Sequence, residues 1–191
     1  MIFTERLQYA INFSIRVHEG EQKQKRRGKD VPYITHPLAV GLILAHAGAH
    51  EDIVVAGILH DTIEDSVPEK KVTKAMIEEV FGITVANLVE SVTEDYEELS
   101  WEKKKSDALL HMKTFSHESR FLKSADVIAN TSEIIADHEQ LGDEIFGRFG
   151  GGKTRVIEHY LHVIHELQST WNENPLAHDL LEIEKKLQGI A

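Results

Sequence analysis

The densest group of titratable side chains in the sequence directly follows an apolar run: His60, Asp61, Glu64 and Asp65. On a helix, positions four apart share a face, so the four side chains would form two stacked pairs. Removing several carboxylates from water is costly unless a cation compensates their charge. Imidazole and carboxylate together suit Mn²⁺, Fe²⁺ or Zn²⁺. The residues alone leave two interpretations open, a metal site and an acidic helix end that emerges into solvent.

A cluster of basic residues, Lys23-Gln24-Lys25-Arg26-Arg27, stands out in a chain of formal net charge −11. A run of this kind is most often a solvated loop. Arginine can also stack its plane on a base and donate paired hydrogen bonds to phosphate. The run by itself therefore leaves both a solvated loop and a site for a small anion open.

The elements that would position these residues are predicted to be helices. Apolar residues recur at spacings of three and four, and no convincing alternating strand appears. The predicted helices cover residues 4–18, 37–47, 51–64, 68–80, 84–95, 101–116, 118–137, 154–170 and 177–188. The connection 95–100 is polar. The pattern predicts an all-α fold in which the nearly all-apolar helix 51–64 is central and buried.

The composition excludes several classes of protein. The chain has 191 residues and no cysteine, which excludes a disulfide scaffold, a zinc ribbon and a thiol nucleophile. An acidic chain repels polyphosphate backbones, so we expect no nucleic-acid polymer as a partner. No apolar run approaches the ~20 residues that span a bilayer, and Glu5 and Arg6 stand where a signal peptide needs apolar residues. We expect a cytoplasmic protein with no membrane partner, and the sequence leaves a homo-oligomer open.

Three ordered blocks of sequence carry a resemblance to a known family. They read Tyr33-Ile-Thr-His36-Pro37-Leu-Ala-Val40, His60-Asp61-Thr-Ile-Glu64-Asp65 and Lys123-Ser-Ala-Asp126-Val-Ile-Ala-Asn130. Together they resemble the HD-domain metal-dependent phosphohydrolases, in particular the hydrolase domain of RelA/SpoT-type proteins. The chain is most similar to the stand-alone small alarmone hydrolases, over about residues 5–165. The resemblance implies a single all-α HD domain over 1–191, with a metal site between central helices and a C-terminal helix in 172–191.

The resemblance also implies a ligand set and an activity. The implied ligands of one metal ion, Mn²⁺ in the family, are His36, His60, Asp61 and Asp126. The family's catalytic pair, which orients and deprotonates the attacking water, maps onto Glu64 and Asp65. The implied substrate is a small nucleotide, guanosine 3′,5′-bis(diphosphate), cleaved at the 3′-diphosphate to release pyrophosphate. The implied substrate-binding residues are Lys25, Arg26, Lys104, Lys123 and Asn130.

Two departures from the family pattern concern the substrate side. After Asp126 the family commonly has a basic residue and, two positions later, a ring, whereas this chain has Val127 and Ala129. The alternatives are therefore a hydrolase of another nucleotide or phosphoester, such as a nucleoside monophosphate or NADPH, and a non-catalytic nucleotide-binding HD module. A third alternative is a P-loop ATPase. It rests on the segment Gly147-Arg-Phe-Gly-Gly-Gly152-Lys153-Thr154, which fits the P-loop pattern but lacks a preceding strand.

Overall fold

A computed structural model describes residues 3–94, 100–169 and 171–191. By contacts the chain divides into two compact units, residues 1–95 and 96–191. The regular elements of the described residues are helical, apart from one isolated antiparallel bridge between Lys25 and Pro32. The predicted all-α class is therefore confirmed. No helix among the described residues is long and apolar enough to cross a membrane.

The first unit is built around one buried helix. Its helices are α1 (Glu5–Ile15), α2 (Thr35–His46), α3 (Glu51–Leu59), α4 (Thr62–Asp65), α5 (Lys74–Phe81) and α6 (Ile83–Val92). A π-helical turn, Arg16–Gly20, follows α1, and a 3₁₀ turn, Pro68–Lys70, precedes α5. Every residue from Ile53 to Leu59 is buried, and α1, α2 and α6 all pack against α3. The apolar composition of 51–64 thus predicts the core correctly.

Two glycines allow α2 and α3 to approach closely. A Cβ atom at Gly41 would lie 2.6 Å from Cγ1 of Ile58, and one at Gly57 would lie 2.5 Å from Cδ1 of Leu44. Real Cβ contacts are essentially never shorter than 3.0 Å. The close contact holds the first turn of α2, which carries His36, against the end of α3, which leads into His60 and Asp61.

The second unit has four α-helices in its described residues. They are α7 (Trp101–Met112), α8 (His117–Leu141), α9 (Gly152–Ser169) and α10 (Ala177–Ile190), with a 3₁₀ segment at Gly142–Arg148. Serine side chains cap the N-termini of α7 and α8. The last helix packs on α8 and α9 and buries Leu180, Ile183 and Leu187. The C-terminal segment therefore completes the core of this unit.

One predicted element differs from the structure in a way that matters for the site. The predicted helix 51–64 is interrupted: α3 ends at Leu59, His60 and Asp61 form a turn, and α4 begins at Thr62. Asp61 has φ −91° and ψ −3°, which breaks the regular helical geometry. The apolar pattern predicts burial but contains no signal for this interruption. The predicted polar connection lies largely in residues 95–99, outside the described residues.

Candidate metal centre and active site

The turn between α3 and α4 places two consecutive side chains against each other. Nε2 of His60 lies 3.1 Å from Oδ2 of Asp61. The other ring nitrogen of His60, Nδ1, lies 2.8 Å from the carbonyl oxygen of Gly57. Since a carbonyl oxygen only accepts, Nδ1 carries the proton, and in the neutral ring Nε2 presents a lone pair. A backbone carbonyl that fixes the tautomer in this way is typical of metal-binding histidines.

Residues before and within the first turn of α2 reach the same carboxylate. His36 is buried, and its Nε2 lies 3.6 Å from Oδ2 of Asp61. The His36 and His60 rings are 5.1 Å apart between centroids. The hydroxyl of Tyr33 donates a hydrogen bond of 2.7 Å to Oδ2 of Asp61. Burial and then the negative charge of Asp61 raise the pKa of Tyr33 well above its usual value of 10.0, so the phenol stays protonated and acts as a donor.

The chemistry of this cluster fits a divalent cation. The lone pair of a neutral His60 ring faces a carboxylate oxygen at hydrogen-bond distance, and two lone pairs repel unless a proton or a cation lies between them. Two imidazoles and a carboxylate are also a ligand set that Mn²⁺, Fe²⁺ and Zn²⁺ accept. His36 is thus brought next to the consecutive residues His60 and Asp61 in the first unit, and the three form a candidate metal centre.

The carboxylates of Glu64 and Asp65 follow on α4. Burial of its carboxyl and then the charge of Asp61 raise the pKa of Glu64 from 4.5 to about 7, although the residue as a whole keeps an exposed surface. Its Oε2 accepts a hydrogen bond from the backbone N–H of Glu94 at 3.1 Å. The pKa of Asp65 is raised for the same two reasons. A carboxyl with a pKa near 7, as Glu64 has, can accept and release a proton at neutral pH.

The basic segment is an ordered turn. Hydrogen bonds from the N–H of Arg26 to the carbonyl of Val31 and from the N–H of Lys29 to the carbonyl of Arg26 close it. The guanidinium carbon of Arg26 lies 5.3 Å from the centroid of the Tyr33 ring, a cation–π distance. The exposed Lys25 forms an ion pair of 3.1 Å with Asp30. The segment is partly solvated, but it holds Arg26 next to a tyrosine that contacts the candidate metal centre.

Three sequence-predicted site residues lie together in the second unit. Asp126 is buried in α8, one turn from both Lys123 and Asn130. Nζ of Lys123 lies 2.9 Å from Oδ2 of Asp126, and Nδ2 of Asn130 donates a hydrogen bond of 2.7 Å to Oδ1. The predicted substrate residues Lys123 and Asn130 thus both contact the carboxylate of the predicted ligand. Lys104 lies half-buried on α7 and forms no ion pair with any residue that the structure describes.

The glycine-rich segment does not have the setting of a P-loop. It is preceded by the 3₁₀ segment Gly142–Arg148, and the described part of the chain has no strand that could carry it. Nζ of Lys153 lies 3.1 Å from Oδ1 of the exposed Asp143. The structure therefore disfavours the P-loop alternative.

Sequence reasoning missed the side chains that hold Asp65, one of the two predicted catalytic residues. Nε2 of Gln24 donates a hydrogen bond of 2.9 Å to Oδ2 of Asp65, and Nε2 of Gln22 donates one of 2.6 Å to the backbone carbonyl of Asp65. Nδ1 of His18 lies 2.7 Å from Oε1 of Gln24. Only the proximity of these residues to the basic run could have indicated a role in the site. An irregular segment has no periodicity from which the direction of a side chain can be predicted.

Comparisons with known proteins agree with this geometry. A sequence model of the HD domain matches residues 10–117, more than half of the chain. A protein of Danio rerio, named guanosine-3′,5′-bis(diphosphate) 3′-pyrophosphohydrolase MESH1, is 34% identical over 126 residues, which are 65% of this chain and 66% of that protein. The Homo sapiens protein of the same name is 35% identical over 130 residues, 65% of this chain and 67% of its own length. The chain thus matches about two thirds of the length of these relatives.

A bacterial relative and two solved structures extend the comparison. The Aquifex aeolicus (strain VF5) guanosine-3′,5′-bis(diphosphate) 3′-pyrophosphohydrolase is 45% identical over 89 residues, 47% of this chain and 12% of that protein. A solved structure described as a metazoan ortholog of SpoT that hydrolyzes ppGpp has a TM-score of 0.79 at 21% identity, over 99% of this chain and 98% of its own. The Listeria monocytogenes EGD-e protein lmo0812 has a TM-score of 0.71 at 31% identity, over 81% and 97%. With the His36, His60 and Asp61 cluster, these likenesses establish that the chain belongs to the HD-domain family.

Proposed function

We propose that this chain is a metal-dependent guanosine 3′,5′-bis(diphosphate) 3′-pyrophosphohydrolase that releases pyrophosphate. The observation that carries the proposal is the cluster of the buried His36 and His60 with the half-buried Asp61, next to two carboxylates of raised pKa. The relatives of this chain that bear that activity in their names support the choice of substrate. The proposal treats residues 1–191 as one HD domain that acts in the cytoplasm on a small nucleotide, without a nucleic-acid or membrane partner.

The proposed ligands of the metal are His36, His60, Asp61 and Asp126, with Mn²⁺ as the resident ion. A divalent ion held there would lower the pKa of water and withdraw charge from phosphoryl oxygens. The fixed tautomer of His60 supports its role, because Nε2 is then the nitrogen available for coordination. Asp126 is included because the family resemblance implies it, and its buried carboxylate already pairs with Lys123 within α8.

The remaining side chains would handle protons and phosphate charge. Hydrolysis forms a bond between a water oxygen and phosphorus, breaks the bond from phosphorus to the 3′ oxygen, and moves one water proton. Glu64 and Asp65 are the proposed acceptors of that proton, since a carboxylate with a pKa near 7 can both take and return it at neutral pH. Developing phosphoryl charge would be compensated by cationic side chains. The proposed substrate-binding residues are Lys25, Arg26, Lys104, Lys123 and Asn130.

The test is direct. Purified protein is incubated with guanosine tetraphosphate and MnCl₂, and pyrophosphate is measured with and without EDTA. We expect release that EDTA abolishes and that the His60→Ala variant lacks. Absence of release from metal-loaded protein would contradict the substrate assignment. A panel with nucleoside monophosphates and NADPH would then separate another hydrolase from a module that binds nucleotide without turnover.

A further inference from the structure

A line of hydrogen bonds runs from the π-helical turn after α1 to the proposed catalytic carboxylate on α4. His18 is fully buried, with its Nδ1 2.7 Å from Oε1 of Gln24. The amide nitrogen of Gln24 then donates to Oδ2 of Asp65 at 2.9 Å. Gln22 braces this line, because its own amide donates to the backbone carbonyl of Asp65. Residues 41 or more positions apart in the sequence are therefore joined through one glutamine.

The orientation of the Gln24 amide follows from its partners. The oxygens of an ionised Asp65 only accept, so the amide –NH₂ of Gln24 must face Asp65. The amide oxygen then faces His18, whose Nδ1 must act as the donor. Asp65 thus excludes the flipped amide, and the amide in turn restricts the rotation of the Asp65 carboxylate.

The backbone of Gln24 is held as firmly as its side chain. Its N–H donates to the carbonyl of His18 at 2.8 Å, and its carbonyl accepts from the N–H of Tyr33 at 2.8 Å. Lys23, directly before it, has a φ of +50°, a left-handed conformation that is costly for a non-glycine residue. Such strain persists only where the surrounding structure enforces it. The chain thus reverses at Lys23 in the way that directs the Gln24 side chain towards α4.

We propose that Gln24 is a positioning residue that holds the Asp65 carboxylate in the orientation needed to accept the proton of the attacking water. The inference rests on the proposed function, because Asp65, which Gln24 contacts, is one of the two proposed catalytic residues. Gln24 acts through Asp65 and needs no contact with the reacting atoms. A hydrogen bond to an ionised group is among the stronger ones in proteins, and removing it frees the carboxylate to rotate.

The test compares Gln24→Met with wild type in the guanosine tetraphosphate assay. Met fills a similar volume but cannot donate to Asp65. We expect kcat to fall about 10- to 100-fold, with KM and the affinity for Mn²⁺ changed less than about twofold, because neither the substrate nor the metal contacts are removed. Gln8→Met, the same substitution at an exposed position of α1, is the control and should leave kcat unchanged. Unchanged kcat in Gln24→Met, or a loss confined to KM, would overturn the inference. Gln24→Asn, which shortens the side chain, replaces the Met variant if that variant does not fold.

A double-mutant cycle separates positioning from general destabilisation. If Gln24 acts only through Asp65, Gln24→Met should reduce kcat no further in an Asp65→Asn background, whereas independent effects would multiply. Multiplied effects would contradict the inference. Full activity of Asp65→Asn would instead contradict the proposed role of Asp65. If wild type proves inactive, the proposed function fails, and a crystal structure of Gln24→Met decides the inference: an unchanged Asp65 rotamer would overturn it.

Discussion

At His60, one backbone carbonyl determines which ring nitrogen faces the carboxylate of Asp61. The carbonyl of Gly57 accepts a hydrogen bond of 2.8 Å from Nδ1 of His60, so a neutral ring directs its lone pair from Nε2 towards the cluster. The family resemblance predicted that His36, His60 and Asp61 belong to one site, because all three match residues of the family motif. It could not predict the Tyr33 contact with Asp61, since nothing in a spacing of 28 residues determines a hydrogen bond.

Removal of the Asp61 carboxylate should abolish metal binding. Asp61→Ala deletes the oxygen that lies within 3.6 Å of both Nε2 atoms, so we expect at least a tenfold loss of Mn²⁺ affinity and no measurable turnover. Isothermal titration with Mn²⁺ measures the first and pyrophosphate release the second. Asp179→Ala, at an exposed position of α10, is the matched control. Full activity of Asp61→Ala would refute the site.

The raised pKa of Glu64 predicts a pH-dependent stability in the metal-free protein. The folded chain binds this proton more tightly than the unfolded chain, because the pKa rises from 4.5 to about 7 on folding. The contribution of Glu64 to the free energy of unfolding therefore falls as the pH rises through that range. Glu64→Gln removes the effect, so wild type should lose stability relative to this variant between pH 5 and pH 8. Urea unfolding in EDTA measures the difference, and parallel pH curves would contradict the assignment.

At the scale of elements, close packing of α2 against α3 is what positions the candidate ligands. The apolar pattern predicted both helices and the buried position of α3, because periodicity and burial are local properties of sequence. It did not predict the end of α3 at Leu59, because the spacing of the polar residues 60–65 is also compatible with a continuous helix.

Gly57→Ala tests this packing. The added methyl would lie 2.5 Å from Cδ1 of Leu44 and 3.3 Å from Cγ1 of Val40, so either the buried Leu44 side chain or α2 itself must shift. We expect a loss of about 1–3 kcal/mol in the free energy of unfolding, and weaker Mn²⁺ binding because Gly57 also orients His60. Gly189→Ala in α10 is the control, since its methyl would meet nothing within 4 Å. That variant should be neutral or slightly more stable. Equal stability of the two variants would show that the close approach is not required.

At the scale of the whole molecule, the chain divides into two compact units, residues 1–95 and 96–191. Asp126 lies in the second unit, where Lys123 and Asn130 hold its carboxylate. The assignment of residues 1–191 to one domain stays a prediction. The division into units at residues 95 and 96 follows from tertiary contacts, and no change in composition at that point indicates it.

If His36, His60, Asp61 and Asp126 bind one ion, Mn²⁺ should stabilise the protein only when all four ligands are present. Saturation at 100 times the dissociation constant should add about 2.7 kcal/mol to the stability of the wild type. We expect the corresponding rise in melting temperature to be lost in Asp126→Ala and in His36→Ala alike. Differential scanning fluorimetry with and without Mn²⁺ measures it. A full Mn²⁺-dependent rise in Asp126→Ala would remove Asp126 from the ligand set.

The interruption of the helix at His60 and Asp61 limits how this motif can be transplanted. Neighbouring side chains on a continuous α-helix point about 100° apart, yet here Nε2 of His60 and Oδ2 of Asp61 approach to 3.1 Å. If the His-Asp dipeptide were grafted onto a straight helix, the two residue types would be kept but the two side chains would no longer approach each other. The portable unit is the whole bend from Gly57 to Thr62, in which the carbonyls of Gly57 and Leu59 accept the hydrogen bonds of His60 and Thr62.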